Sequence, residues 1–224
     1  MRAPLPALGV HVRGDDNTIG GGTTNLRNLI SGNTGVGLSI EGSDNRMFDN
    51  YIGTDITGTA AVPNGSHGVA VTGARNNIGV GGSSNGNLIS GNLGAGVNIF
   101  RFEADDTGVF SSAIGANVAE AAALPNGGNG VTILMPGGGT ANNNGVLEDV
   151  SIGNRRTSHS NVIAGNAASG IEMLGQPTGV TISGTAISGS PVGIHMDDLD
   201  ATASANVVVT AGTTITGTGT GILL

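Results

Sequence analysis

Three aspartate pairs, Asp15-Asp16, Asp105-Asp106 and Asp197-Asp198, are the residues best suited to bond cleavage in a chain of 224 residues without cysteine or tryptophan. A hydrolase needs two carboxylates across the scissile bond, and a lyase needs a base, usually Arg or Lys, beside calcium held by carboxylates. A second acidic set, Asp15, Asp16, Glu41 and Asp44, could bind calcium through oxygen ligands. His11 and His195 could ligate a metal, and Arg155, Arg156 and His159 could receive an anion. Whether any of these act together depends on the elements that carry them.

Those elements repeat. Asn87-Leu88-Ile89-Ser90-Gly91-Asn92 copies Asn28-Leu29-Ile30-Ser31-Gly32-Asn33 at a distance of 59 residues, and Asn161-Val162-Ile163-Ala164-Gly165-Asn166 follows after 74 more. A second marker, Gly followed by two apolar residues with one free position between them, starts at Gly9, Gly35, Gly68, Gly96, Gly130, Gly170, Gly193 and Gly221. Eight starts bound seven units of 26, 33, 28, 34, 40, 23 and 28 residues. Each marker has the period of two that defines a strand. In every unit a second short strand follows, as at Thr18-Ile19, Met47-Phe48 and Val150-Ser151-Ile152, and then a third, as at Leu29-Ile30, Tyr51-Ile52 and Ala186-Ile187. Three strands per unit, joined by turns and without helical periodicity, describe one coil of a parallel β-helix.

A sandwich would use hairpins of variable sequence, whereas here equivalent positions recur as they must when like stacks on like at ~4.8 Å. Seven coils make a rod roughly 34 Å tall by that spacing. Ile30, Ile52, Ile89, Ile114, Ile163, Ile187 and Ile215 are expected to align as one aliphatic ladder. The longer coils insert residues between a third strand and the next marker, at 55–65 and 116–127, so these loops are expected at one corner of the rod. The fifth coil instead enlarges the turn at 136–144 and adds residues 155–160. Solenoid sites are usually built from such loops.

Stacking then decides most of the candidate chemistry. The aspartate pairs belong to coils one, four and seven, about 14 Å apart by the rung spacing, and are read as turn residues rather than as one site. Asp15, Asp16, Glu41 and Asp44 lie in adjacent coils, where a solvated acidic corner competes with a calcium site. His11 and His195 both take the outward position after a marker Gly, six coils apart, and are read as surface residues. The cluster at Arg155, Arg156 and His159 is read as a solvated loop. A Thr-rich stretch at 213–220 suits an ice-binding face, but coils of unequal length do not make one flat.

Composition narrows the partners. Net charge is −8, with eight Arg and no Lys, and the aromatics are four Phe and one Tyr. There is no basic run beyond Arg155-Arg156 and there are few rings for base stacking, so nucleic acid is not expected as a partner. No apolar run approaches the ~20 residues of a membrane-spanning helix. Without cysteine, disulfides and thiolate metal sites are both absent. The start, Met1 to Leu8, has two prolines and too short an apolar run for a signal peptide, and residue 1 is read as an artificial start or a cut inside a longer protein.

Asn17-Thr18-Ile19-Gly20-Gly21, the Asn-Leu-Ile-Ser-Gly-Asn segments, Asn50-Tyr51-Ile52-Gly53-Thr54-Asp55 and Leu124-Pro125-Asn126-Gly127 resemble the two-coil repeat of large secreted and surface-exposed bacterial right-handed β-helix proteins. The likeness covers residues 9 to about 135 well and the remainder loosely. It implies the right-handed fold and an extracellular or cell-surface location, and little about function. It also implies that Asn33, Asn92 and Asn166 form an internal hydrogen-bonded ladder, which the Ser and Thr substitutions in coils six and seven interrupt. Many right-handed β-helices cleave acidic polysaccharides. The Asn-Thr-Asp, His-Gly and Arg-Ile-Lys combination of polygalacturonases is not found, Ser66-His67-Gly68 being its one fragment.

The sequence therefore reads as an all-β, right-handed, single-stranded parallel β-helix over residues 9–224, preceded by a cap or linker at 1–8. Val10 and Val12 at one end and Ile222 and Leu224 at the other would form end-stacking surfaces, because a bare coil is a template for strand addition. The expected function is a non-catalytic rod, stalk or fibre segment, with no resident cofactor unless calcium binds. Its partners would be further copies stacked head to tail, or flanking domains of a longer protein. The alternative is a polysaccharide lyase, hydrolase or glycan-binding module that uses the corner loops.

Overall fold

Short period-two strands interrupted by turns cannot bury their own inner faces, and the chain resolves this by winding. The computed structural model describes residues 8–21, 26–79, 86–100, 104–134, 150–153, 160–175, 179–197, 207–210 and 212–224. Over these residues it is a right-handed parallel β-helix with three sheets. With strands numbered in chain order, the first sheet contains β1 (Val10–Val12), β4 (Leu38–Ile40), β7 (Val69–Val71), β10 (Val97–Phe100), β13 (Val131–Leu134), β16 (Ser169–Leu174), β19 (Val192–Asp197) and β22 (Thr220–Leu223). The second contains β2 (Thr18–Ile19), β5 (Arg46–Met47), β8 (Asn77–Ile78), β11 (Gly108–Val109), β14 (Ser151–Gly153), β17 (Thr181–Ser183) and β20 (Val208–Val209). The third contains β3 (Leu29–Ile30), β6 (Tyr51–Ile52), β9 (Leu88–Ile89), β12 (Ala113–Ile114), β15 (Asn161–Ala164), β18 (Thr185–Ser188) and β21 (Thr214–Thr216). The enlarged turn at 136–144, the cluster Arg155, Arg156 and His159, Asp198 and residues 1–7 of the expected cap lie outside the described residues.

The aliphatic ladder forms as the repeat requires. Ile30, Ile52, Ile89, Ile114, Ile163, Ile187 and Ile215 pair in unbroken register through the third sheet. Five of them, Ile52 to Ile187, are fully buried, and burying one such side chain stabilises by about 1.5–3 kcal/mol. The marker glycines are explained by the same ladder. A Cβ on Gly68, Gly130 or Gly170 would stand 2.5 to 2.7 Å from the Cγ2 of Ile89, Ile163 or Ile187. The two sequence markers are thus the two sides of one contact across the interior.

Three local differences from the sequence reading have physical reasons. The coil-two marker is Gly37 rather than Gly35, because Leu38 pairs with Val10 and Val69. The second strand of coil two is Arg46–Met47 rather than Met47-Phe48, because Arg46 pairs with Thr18 and Met47 with Ile19. Among the outward positions of the first sheet, Ala70, Asn98 and Thr132 are buried rather than exposed. Each lies between paired strands on both sides, and Asn129 donates through Nδ2 to the Thr132 hydroxyl at 3.0 Å.

Candidate functional site

The corner after the third sheet carries the most continuous polar structure. Asn33 donates from its Nδ2 to Asn64 Oδ1 at 2.8 Å, Asn64 to Asn92 at 2.8 Å, Asn92 to Asn126 at 3.0 Å and Asn126 to Asn166 at 3.1 Å. Asn64, Asn92, Asn126 and Asn166 also donate to the carbonyls of Ile30, Ile52, Ile89 and Ile114. The expected rungs Asn33, Asn92 and Asn166 are therefore alternate members of a five-rung ladder, and Asn64 and Asn126 complete it. These two come from the insertions. Each insertion leaves the rod as a small hairpin closed by an antiparallel bridge, Thr54 to Ala61 or Ala116 to Ala123, and returns through Pro-Asn-Gly to the ladder. Beyond Asn166 the position is held by Ser190, whose buried hydroxyl has no hydrogen-bond partner.

Two further ladders run along the other corners. Before the second sheet, Asn17 donates to Asn45 at 3.0 Å and Asn45 to Asn76 at 3.1 Å. Before the third sheet, Asn28 donates to Asn50 at 2.9 Å and Asn50 to Asn87 at 3.0 Å. The Asn87 amide N–H continues to the Ser112 hydroxyl, and the Ser112 amide N–H to Asn161 Oδ1. Asparagine suits such a column because its amide both donates and accepts, so identical rungs satisfy one another. Its signal in the sequence is plain: an Asn or Ser directly precedes the third strand in each of coils one to four and begins it in coil five.

In the acidic corner an arginine stands among the aspartates. Asp16, Asp44, Arg75 and Asp106 occupy left-handed turn positions in successive coils, with φ of 58°, 60°, 55° and 56°. Arg75 donates from Nε and Nη2 to the two Asp44 carboxylate oxygens at 2.8 and 2.7 Å. The Arg75 hydrogen bonds hold the Asp44 carboxyl below the usual range. Asp15 accepts from the Ser43 amide at 2.7 Å, and Glu41 pairs with His11 at 2.8 Å and Arg13 at 3.5 Å. Among the described residues no three His, Asp or Glu side chains converge in a way that could hold a metal ion. Asp197 ends β19, beside Leu174.

His195 does stand on the outer face of the first sheet, where its Nδ1 lies 3.4 Å from Glu172. Glu172 in turn accepts from Asn129. His67, which sequence reasoning treated as a fragment of a catalytic motif, is a structural acceptor: its Nδ1 takes a hydrogen bond from the Ala95 amide at 3.1 Å. Burial pushes its pKa below the ordinary histidine value. The unfolded chain therefore takes up a proton near pH 6.5 before the folded one does. His67 thus stabilises the fold fully above that pH and progressively less as pH falls toward its folded value. The thermal midpoint is expected to fall between pH 7.5 and 5.5, by less in a His67→Gln variant than in the parent; equal shifts would remove His67 as the cause.

The expected end surfaces differ in exposure. Val10 is 36% exposed, and Val12 packs on the core. Ile222 is 47% and Leu224 85% exposed, beside exposed Val208, Val209 and Leu223. The first sheet also has one strand more than the other two, so β22 begins a turn that the described residues do not complete. On the outer face of the third sheet, Tyr51, Leu88 and Ala113 form a small buried patch separate from the main core. No helix among the described residues is long and apolar enough to cross a membrane. No protein-family model matches the chain, and no curated protein matches it at a significant level.

Proposed function

We propose that the chain is a non-catalytic rod, serving as a stalk or fibre segment of an extracellular or cell-surface protein. The observation that carries this reading is the continuity of its stacking: three in-register sheets, with asparagine ladders along the corners between them. Such a column resists bending and shear because displacing one coil breaks hydrogen bonds in all three sheets at once. The polar groups most suited to chemistry are largely engaged with one another, as at Asp44 and Arg75 or His11 and Glu41. Of the carboxylates Asp15, Asp16, Glu41 and Asp44, all but Asp16 would take calcium by giving up such partners, which leaves calcium a secondary proposal.

The rod would be extended at its ends, where among the described residues β1 and β22 each pair on one side only and carry exposed apolar residues, which makes them templates for further strands. The added coils would come from a second copy or from flanking parts of a longer protein. For a second copy to continue all three sheets, its β1 must take the place of β22 on β19. Light scattering and electron microscopy across a concentration series test this. Rods that lengthen at constant diameter are expected, and a chain lacking residues 220–224 should lengthen at lower concentration. Monomers at every concentration for both chains would sink self-stacking, and cleavage of a polysaccharide by the purified chain would overturn the non-catalytic reading.

A further inference from the structure

A groove of 280 Å³ crosses the outer face of the third sheet, lined among others by Arg27, Asp49, Tyr51, Leu88, Val118 and Glu120. One wall is the hairpin of coil four, which carries Val118 and Glu120 and leans on the hairpin of coil two through the Val118 N–H donating to Gly58 O at 3.0 Å. The other wall is the corner between the second and third sheets, which supplies Arg27 and Asp49. The Arg27 guanidinium lies 4.1 Å from the centroid of the Tyr51 ring.

Each of two charged groups on this groove has one buried atom without a partner. Asp49 is 8% exposed, and its Oδ2 has no hydrogen-bond partner; Arg27 Nε has none either. A buried polar atom without a partner costs about 1–3 kcal/mol, more when charged, whereas the Asp15, Glu41, Asp44 and Asp55 carboxylates all have partners. Asp49 also sits at φ 61°, a left-handed conformation that Asn adopts as readily as Asp. The turn therefore needs no carboxylate here.

We propose that this groove binds a neutral saccharide residue through Asp49, Arg27 and Glu120. A hydroxyl both donates and accepts, so vicinal hydroxyls can donate to Asp49 and accept from Arg27 together. Two carboxylates against one guanidinium disfavour an anion, and the guanidinium disfavours a metal cation. Tyr51, Leu88 and Val118 supply an apolar wall for the C–H faces of a sugar. Arg27 already covers a face of the Tyr51 ring, so recognition rests on hydrogen bonds rather than on ring stacking. The volume is close to the lower bound of about 300 Å³ for ligand pockets, which suits one or two rings. This site rests on observations independent of the rod and would give a stalk a point of attachment to glycan.

The test titrates the whole chain with glucose, galactose, N-acetylglucosamine, their β-linked dimers and galacturonate, read by saturation-transfer NMR and calorimetry. One neutral sugar is expected to bind saturably, with galacturonate at least tenfold weaker. Asp49→Asn and Arg27→Gln should each weaken binding at least tenfold with the strand circular dichroism unchanged, while Asp15→Asn on another corner leaves affinity as it was. The proposal is overturned if no sugar saturates, if galacturonate is preferred, or if Asp49→Asn binds as the parent does.

Discussion

Replacing Asn92 by Ala is expected to lower stability by about 3 kcal/mol, on the scale of one to two unsatisfied buried groups plus a small cavity. Asn92 is the central rung of the five-rung ladder and is fully buried. Its Nδ2 donates to Asn126 Oδ1 and to the Ile52 carbonyl, its Oδ1 accepts from Asn64, and its own amide N–H donates to Asn126 Oδ1. Alanine keeps the last of these and removes the rest. The Ile52 carbonyl loses that side-chain donor, while the Asn64 Nδ2 retains only its bond to the Ile30 carbonyl. Because a solenoid is held together by nearest-neighbour contacts, the loss falls on the junctions of coils two, three and four. Asn33→Ala is the comparison, since Asn33 is a half-buried first rung with water at hand, and should cost about 1 kcal/mol or less. Urea denaturation of both variants measures the difference. Equal losses would mean that the ladder is decoration on sheets that are stable without it.

The fold was legible because stacking forces repetition. The marker Gly and the ladder Ile face each other across the interior, so neither can vary alone, and both survive as readable patterns. Asn64 and Asn126 escaped notice because they follow insertions that look like surface loops; Pro63 and Pro125 in front of them mark the return to the rod. The ladder through Asn28, Asn50 and Asn87 was in view as the first residue of the repeated segments and was passed over for the last. The acidic corner also has a partner that coils one and two alone do not show. Reading coils one and two as a pair left out coil three, whose Arg75 takes the turn position next to Asp44 and claims its carboxylate. The groove was not legible at all, since Arg27, Asp49 and Glu120 belong to three coils and meet only after the hairpin of coil four folds over the third sheet.

The largest effect is expected at Gly79, where alanine should abolish cooperative folding, a loss of more than about 4 kcal/mol. Gly79 has φ of 93°, and a Cβ there would overlap the Phe110 carbonyl oxygen of the next coil and stand 3.1 Å from the Ser112 hydroxyl. The overlap is with backbone, so no side chain can rotate away. Relief would require coils three and four to separate, breaking the hydrogen bonds from Phe110 N to Ile78 O at 2.8 Å and from Gly108 N to Asn76 O at 2.9 Å. Gly32 separates this contact from backbone strain alone. Its φ is 73°, yet the nearest atom to an added Cβ is Val62 Cγ1 at 3.6 Å. Gly32→Ala should therefore cost only the left-handed strain, about 1–2 kcal/mol, and a few degrees in thermal midpoint. Circular dichroism melts of the two variants decide it, and similar losses would show that strain, not contact, fixes these glycines. The contact also accounts for the period of the repeat. Gly20, Gly79 and Gly153 in coils one, three and five face the carbonyls of Phe48, Ser183 and Phe110 in the even coils, Gly20 meeting Phe48, Gly79 meeting Phe110 and Gly153 meeting Ser183. An odd coil that must accept a carbonyl and an even coil that must present one are different units, so the sequence repeats over two coils rather than one.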